Sequence, residues 1–135
     1  MSANYAGDDG MLFDTDILIW TLRGNRHAAH AIQNEPTRMI SVVVYMELLQ
    51  GARNKREIKA IKDFLHDLGF VVLPLTENIG HRAAIYMEEY SLPAAMSMAD
   101  ALIAGTAMEN NQPLLSGNDK HFRVIKDLEL HAFHP

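Results

Sequence analysis

Short apolar runs recur along this chain, separated by stretches with helical periodicity, and that alternation constrains the fold more than any other feature. The runs are Met11-Leu12-Phe13, Met39 to Val44, Phe70 to Leu75 and Leu114-Leu115-Ser116, with Glu129 to Phe133 as a fifth. Strands joined through helices run parallel, because each helix carries the chain back to the same end of the sheet. Such a sheet is covered on both faces, which is why its strands are apolar on both sides. The expectation is one α/β unit over residues 11–135, behind a small, polar, flexible leader over residues 1–10. That leader has neither a basic start nor an apolar stretch, so no secretory signal is predicted, and Met11 is a candidate native start.

The helical stretches carry their own punctuation. Ile17 to Leu22 closes at Gly24, and Ala28 to Asn34 stops before Pro36. Near Val43 the pattern turns helical and runs through Glu47 and Leu48 towards Gly51. Between Lys55 and Leu68, Ile58, Ile61, Leu65 and Leu68 form an apolar stripe, and Gly69 ends it. The opposite face gathers Lys55, Arg56, Lys59 and Lys62, with Arg53 just ahead. Further helices are predicted up to Tyr90, before Pro93, and from Ser97 to Asn110.

Composition removes several classes of function. At 135 residues the chain has room for one core rather than two. With no cysteine it has no disulfides and no thiolate metal site, which matches a reducing cytoplasm. No apolar run approaches the ~20 residues that span a bilayer, so no membrane segment is predicted. A net charge of −5 argues against coating nucleic acid by bulk charge, although not against a local basic patch.

In an open parallel sheet, ligands bind beyond the carboxyl ends of the strands. Asp14 and Asp16 follow the first strand directly, and Asn118 and Asp119 follow the fourth. Taken singly, Asp14 or Thr15 is better read as the cap of the helix behind it, and Asn118 as a cap of the turn towards Phe122. Asp100 stands out more, in Met98-Ala99-Asp100-Ala101-Leu102-Ile103-Ala104, a helix apolar almost all round and therefore buried. A capping box with Ser97 explains its position but not the apolarity of its surroundings. Glu47, among Met46, Leu48 and Leu49, is either a second such acid or a residue at the exposed edge of its helix. Several carboxylates at one sheet edge repel one another unless a cation neutralises them, and all-oxygen ligands select Mg²⁺ or Mn²⁺ over zinc. His27 with His30, and His131 with His134, lack a third ligand and are expected at the surface.

Four stretches in order resemble the PIN-domain ribonucleases, and among them the VapC-type toxins of bacterial toxin–antitoxin pairs. They are Leu12-Phe13-Asp14-Thr15-Asp16-Ile17-Leu18-Ile19, Ser41 with Glu47-Leu48-Leu49-Gln50-Gly51, Ala99 to Ala107, and Leu114 to Phe122. The resemblance implies a three-layer α/β/α sandwich with a central, mostly parallel sheet, and a metal-dependent endoribonuclease holding one or two Mg²⁺ (or Mn²⁺) ions. Asp14, Glu47 and Asp100 would be the acidic ligands, with Thr15 and Ser116 as polar residues of the pocket. The fourth polar position falls best on Asn118, with its neighbour Asp119 as the substitute. Asp16 stands where relatives often have Asn, and Ser116 where they often have Thr. A metal-activated water would attack the RNA phosphate in line, leaving a 5′-phosphate and a 3′-hydroxyl. Arg53, Lys55, Arg56, Lys59 and Lys62 would steer RNA, unless Glu57 and Asp63 simply pair with them along the helix. A homodimer and a small VapB-like antitoxin are implied as well, with Trp20 and Leu22 as apolar residues that could receive the antitoxin.

Two other functions fit parts of the sequence. Asp14-Thr15-Asp16 after a strand resembles the D-x-D of haloacid-dehalogenase-like phosphatases, in which the first Asp is the nucleophile. Against it, Ile17 and Leu18 stand where that family has a small residue and a Thr, and the chain is short for a core plus cap. The other is a catalytically silent PIN-like module that binds RNA without cutting it.

Overall fold

The first strand, β1 (Gly10–Phe13), is buried at every position, as a strand with helices on both sides must be. The computed structural model describes residues 10–135. Of the expected leader, residues 1–9 lie outside the described residues, and Gly10 belongs to β1.

After β1 come α1 (Thr15–Leu22), α2 (Arg26–Gln33), β2 (Thr37–Ser41), α3 (Val42–Gln50), α4 (Lys55–Asp67) and β3 (Val71–Leu73). The chain continues through α5 (Glu77–Tyr90), α6 (Met98–Glu109), β4 (Leu114–Ser116), α7 (Asp119–Phe122) and β5 (Leu130–Ala132). The strands lie in the order β3-β2-β1-β4-β5, and every neighbouring pair is parallel. With helices on both faces this is the expected three-layer α/β/α sandwich. Its core is a cluster that includes Leu12, Phe13, Ile17, Leu18, Met39 and Leu114, all fully buried. Among the described residues no helix is long and apolar enough to cross a membrane.

From β1 the chain builds outward to β2 and β3, then returns to the other side of β1 for β4 and β5. The strand order therefore reverses between β1 and β4, where a crevice opens at the carboxyl ends of the strands. Leu12 lies opposite Leu114 and Phe13 opposite Leu115, so Asp14 and Ser116 emerge side by side at that crevice.

The elements differ from the sequence reading in instructive places. β2 stops at Ser41, and Val42-Val43-Val44, expected as strand, opens α3. β-branched residues disfavour helix by only a few tenths of a kcal/mol each. Here that preference yields to burial of Val43 and Val44 and to a cap, since Ser41 Oγ accepts from Val43 N–H at 3.1 Å. β3 is half the expected length, and the segment expected as a turn towards Phe122 forms α7. α6 packs closely on α5 because Gly105 has no side chain: a Cβ there would sit 3.2 Å from the Ile79 carbonyl oxygen. Arg38, on β2, donates to the carbonyls of Ile32, Gln33 and Leu68, and so ties the ends of α2 and α4 together.

Ser41 is fully buried, and its hydroxyl also lies 3.4 Å from that of Thr106. Ser41→Ala should lower unfolding stability by about 1–2 kcal/mol, the usual worth of a helix cap, seen as a lower urea midpoint at unchanged slope. An unchanged midpoint would mean that α3 starts without its cap.

Candidate active site

Asp14 continues the β1–β4 ladder, its N–H donating to the Leu115 carbonyl at 2.9 Å, and then caps α1. Oδ1 accepts from Thr15 N–H at 2.8 Å, and Oδ2 accepts from the Ser116 hydroxyl at 2.7 Å. The cap and the expected site residue are thus the same side chain. It is 7 % exposed. Burial pushes its carboxyl up to about 7, with the Asp16 charge and, more weakly, that of Asp100 acting in the same direction. The bonds from Ser116 and Thr15 pull the other way without cancelling the rise.

Thr15, in the first turn of α1, turns its hydroxyl to Glu47 on α3 and donates to Oε1. Glu47 is half-buried rather than solvated. Asp100 lies in the first turn of α6, where it completes the capping box: its N–H donates to Ser97 Oγ at 3.1 Å, and its Oδ2 accepts from Ser97 N–H at 3.3 Å. It is nonetheless buried, on a helix whose Ala101, Ile103, Ala104 and Ala107 also belong to the core. The same Oδ2 meets His121 Nδ1 at 2.9 Å. As with Asp14, the capping role and the site position coincide.

Two residues join this cluster that the sequence did not single out by role. Asp16 Oδ2 accepts from Gly117 N–H at 3.0 Å, fastening α1 to the loop after β4. Its Oδ1 is buried without a hydrogen-bond partner among the described residues, and burial raises its pKa. Gly117 is required at that contact, since a Cβ would lie 2.6 Å from the Trp20 ring and 2.8 Å from Asp16 Oδ2. His121, one turn beyond Asn118, reaches both Asp100 and Asn118, at 2.9 and 3.0 Å. The three-residue spacing of Asn118 and His121 was the available signal, and α7 is what turns it into a contact.

The structure therefore brings Asp14, Asp16, Asp100 and Ser116 into one crevice, with Glu47 attached through Thr15. Asn118 is held at its rim by its N–H to Ser116 Oγ at 2.9 Å, whereas Asp119 pairs with Arg123 at 3.3 Å. Among the described residues, no three His, Asp or Glu side chains converge closely enough to hold a metal ion as they stand. The donor chemistry does fit a hard divalent cation. It is all carboxylate and hydroxyl oxygen, with one carboxylate oxygen unpartnered among the described residues and an acid whose pKa burial and its neighbours' charge raise. Arg53, just ahead of α4, pairs with Glu57 at 2.9 Å, and on α4 Lys59 pairs with Asp63 at 2.7 Å, the partners that the alternative reading named. Lys55, Arg56 and Lys62 are exposed.

Between α1, α3 and α4 runs a groove of about 630 Å³, floored by Leu22, Leu48 and Ile61 and bordered by Glu47 and Arg53. Leu22 thus stands at a surface open to a partner. Trp20 does not: it is partly buried, with its ring 5.4 Å from that of Phe133 and against Gly117.

A model of the PIN-domain family matches residues 11–128. A protein of Rickettsia bellii named ribonuclease VapC is 32 % identical over 128 residues, covering 90 % of this chain and 94 % of its own. Ribonuclease VapC19 of Mycobacterium tuberculosis is 32 % identical over 123 residues, covering 87 % of this chain and 96 % of its own. Among solved structures, a toxin–antitoxin complex from Klebsiella pneumoniae aligns with a TM-score of 0.77 at 28 % identity, over 91 % of this chain and 97 % of that one. VapBC2 from Rickettsia felis, bound to a promoter DNA fragment, aligns at 0.75 with 20 % identity, over 92 % of this chain and 98 % of that one, a likeness of fold. With its acids at the switch point of a five-stranded parallel sheet, the chain belongs to the PIN-domain family and, within it, to the VapC ribonucleases.

Proposed function

We propose that this chain is the toxin of a toxin–antitoxin pair, an endoribonuclease that hydrolyses RNA phosphodiester bonds with Mg²⁺ or Mn²⁺. The observation that carries the site is the burial of Asp14 beside Asp16 and Asp100 at the β1–β4 crevice. Asp14, Glu47 and Asp100 are the residues that would hold the metal, and Asn118, better placed than Asp119, is the fourth polar residue. Nucleases of this family depend in general on a divalent metal. When bound, such a cation supplies a water of lowered pKa and stabilises charge developing on the phosphate.

The chain's own residues prepare the pocket for that chemistry. Ser116 and Thr15 fix Asp14 through both of its oxygens, so its carboxylate cannot swing. The Thr15 hydroxyl holds Glu47 towards the same crevice. Bare, this cluster repels RNA phosphates; neutralised, it admits one, and attack by water at phosphorus leaves a 5′-phosphate and a 3′-hydroxyl. Lys55, Arg56 and Lys62, exposed on α4, are the cations best placed to attract the RNA backbone, because Arg53 and Lys59 already answer to carboxylates. The small antitoxin would seat in the groove between α1, α3 and α4, where Ile19 and Leu22 offer apolar surface beside Glu47. A homodimer acting in the cytoplasm completes the proposal. Membership of the PIN family sets the aspartyl-phosphatase alternative aside, and the cleavage assay below discriminates a silent RNA-binding module.

Purified wild type should cut total cellular RNA into discrete fragments with Mg²⁺ or Mn²⁺ and leave it intact in EDTA. Asp100→Asn should lower that cleavage by two orders of magnitude or more while still folding, because an amide oxygen can keep the capping contact. Wild-type rates in Asp100→Asn would remove Asp100 from the site. Intact RNA in every lane, with RNA still bound, would identify a silent module. Reversing Lys55, Arg56 and Lys62 to Glu should weaken RNA binding and flatten its dependence on log[salt], by about 0.7 per lost phosphate contact on a single strand. An unchanged slope would return that face to solvent.

Asp14 also sets a pH trend. Its carboxyl titrates near 7 when folded and near 3.8 when unfolded, so between those values the folded chain holds the extra proton. Stability of the metal-free protein should therefore fall as pH rises from about 4 to 7, by linkage. In EDTA the melting temperature of wild type should drop more from pH 5 to pH 8 than that of Asp14→Asn. Mn²⁺ should stabilise wild type more at pH 8 than at pH 5. Parallel pH curves for the two proteins would mean that Asp14 carries no raised pKa.

A further inference from the structure

We infer that His121 is a positioning residue: its ring Nδ1–H pins one oxygen of Asp100 so that the other faces the crevice. Asp100 Oδ2 takes both available bonds, from Ser97 N–H at 3.3 Å and from His121 at 2.9 Å. Among the described residues Oδ1 takes none, so it is the oxygen left for a ligand. A carboxylate otherwise turns freely about its last bond, and two anchors on one oxygen stop that rotation.

The proton's position follows from the neighbours. An ionised carboxylate only accepts, so Nδ1 must carry the hydrogen for the 2.9 Å contact to be a bond. The side-chain amide of Asn118 also stands 3.0 Å from Nδ1, with its nitrogen towards the ring. Two N–H donors cannot bond each other. The amide oxygen and nitrogen are nearly interchangeable in shape, and the hydrogen-bond network decides between them. The network here requires the oxygen of Asn118 to face the ring, giving His121 N–H a second acceptor. One further observation agrees. Asn is among the best helix caps, yet the Asn118 side chain makes no cap bond to α7. It is spent on the imidazole instead. α7 thus serves to present His121 to Asp100, 21 residues earlier in the chain.

The inference rests on the reading of Asp100 as a cation ligand, and the experiment separates the two. The full chain is titrated with Mn²⁺ alone, following the rise in melting temperature, for wild type, His121→Asn, His121→Gln and His121→Ala. The melting temperature of each in EDTA is recorded alongside. The amide nitrogen of Asn can occupy the place of Nδ1, whereas that of Gln reaches the place of Nε2. His121→Asn should keep apparent Mn²⁺ affinity within about threefold of wild type. Gln and Ala should lose roughly tenfold or more, the usual cost of removing a residue that orients a metal ligand. The Asn and Gln variants should melt alike in EDTA, so that their difference appears only with metal. Equal Mn²⁺ affinity in all four proteins, or a loss confined to melting temperature in EDTA, would overturn the positioning role and leave Asp100 in the site. Absence of any Mn²⁺ response in wild type would overturn both. Should His121→Ala fail to fold, the Asn and Gln pair decides.

Discussion

The hydrogen bond from the Ser116 hydroxyl to Asp14 joins residues 102 positions apart, and much of the molecule is arranged so that it can form. It requires β1 and β4 to be neighbours, in register, at the point where the strand order reverses. Once Asp14 is placed there, burial acts on it without relief. It lies under core, beside Asp16 and near Asp100, with two hydrogen bonds that only partly compensate. An acid held that way is poorly suited to stabilising a fold and well suited to meeting a cation. The strain is electrostatic and local, and the surrounding apolar cluster is what sustains it.

Around that point each polar contact has two uses. Asp14 and Asp100 both cap helices, and both caps present a carboxylate to the same crevice. Thr15 belongs to α1 and also tethers Glu47. Asp16 spends one oxygen on the Gly117 backbone and keeps the other buried, without a partner among the described residues. For a cap, "structural" and "functional" are therefore not alternatives in this chain. A helix that begins at the carboxyl end of a parallel strand must put its capping side chain where ligands bind.

This double use explains how much the sequence revealed. Asp100 and, more mildly, Glu47 were conspicuous as acids in apolar company, Asp14 by its place directly after the first strand, and the strand at Leu114 to Ser116 by its apolar run. The helical stripe of Ile61 and Leu65 was legible for the same reason. What escaped depended on contacts between distant segments. The second duty of Asp16 needs Gly117, and His121 matters only once α7 lies against α6. Val42 to Val44 read as strand because local preference favours it, whereas the Ser41 cap and core burial decide for helix. Trp20 could be read equally as an exposed apolar residue or as core, and Phe133 from far along the chain decides by covering it. The pairing of Asp119 with Arg123, one turn on, likewise depends on α7, which the sequence did not reveal as a helix.

The order of the strands also bears on how the molecule comes into being. Among the described residues, β1 has no partner on its β4 edge until residues 114–116 have been made. Pairing across so long a separation is slow and comes late in folding. A growing chain released before that stretch has Asp14 and Glu47 but neither Ser116 nor His121, and its crevice lacks one wall. The pocket is thus completed only once residues 114–121 have been made, so the acids at residues 14, 47 and 100 wait on β4 and α7 before they can act together.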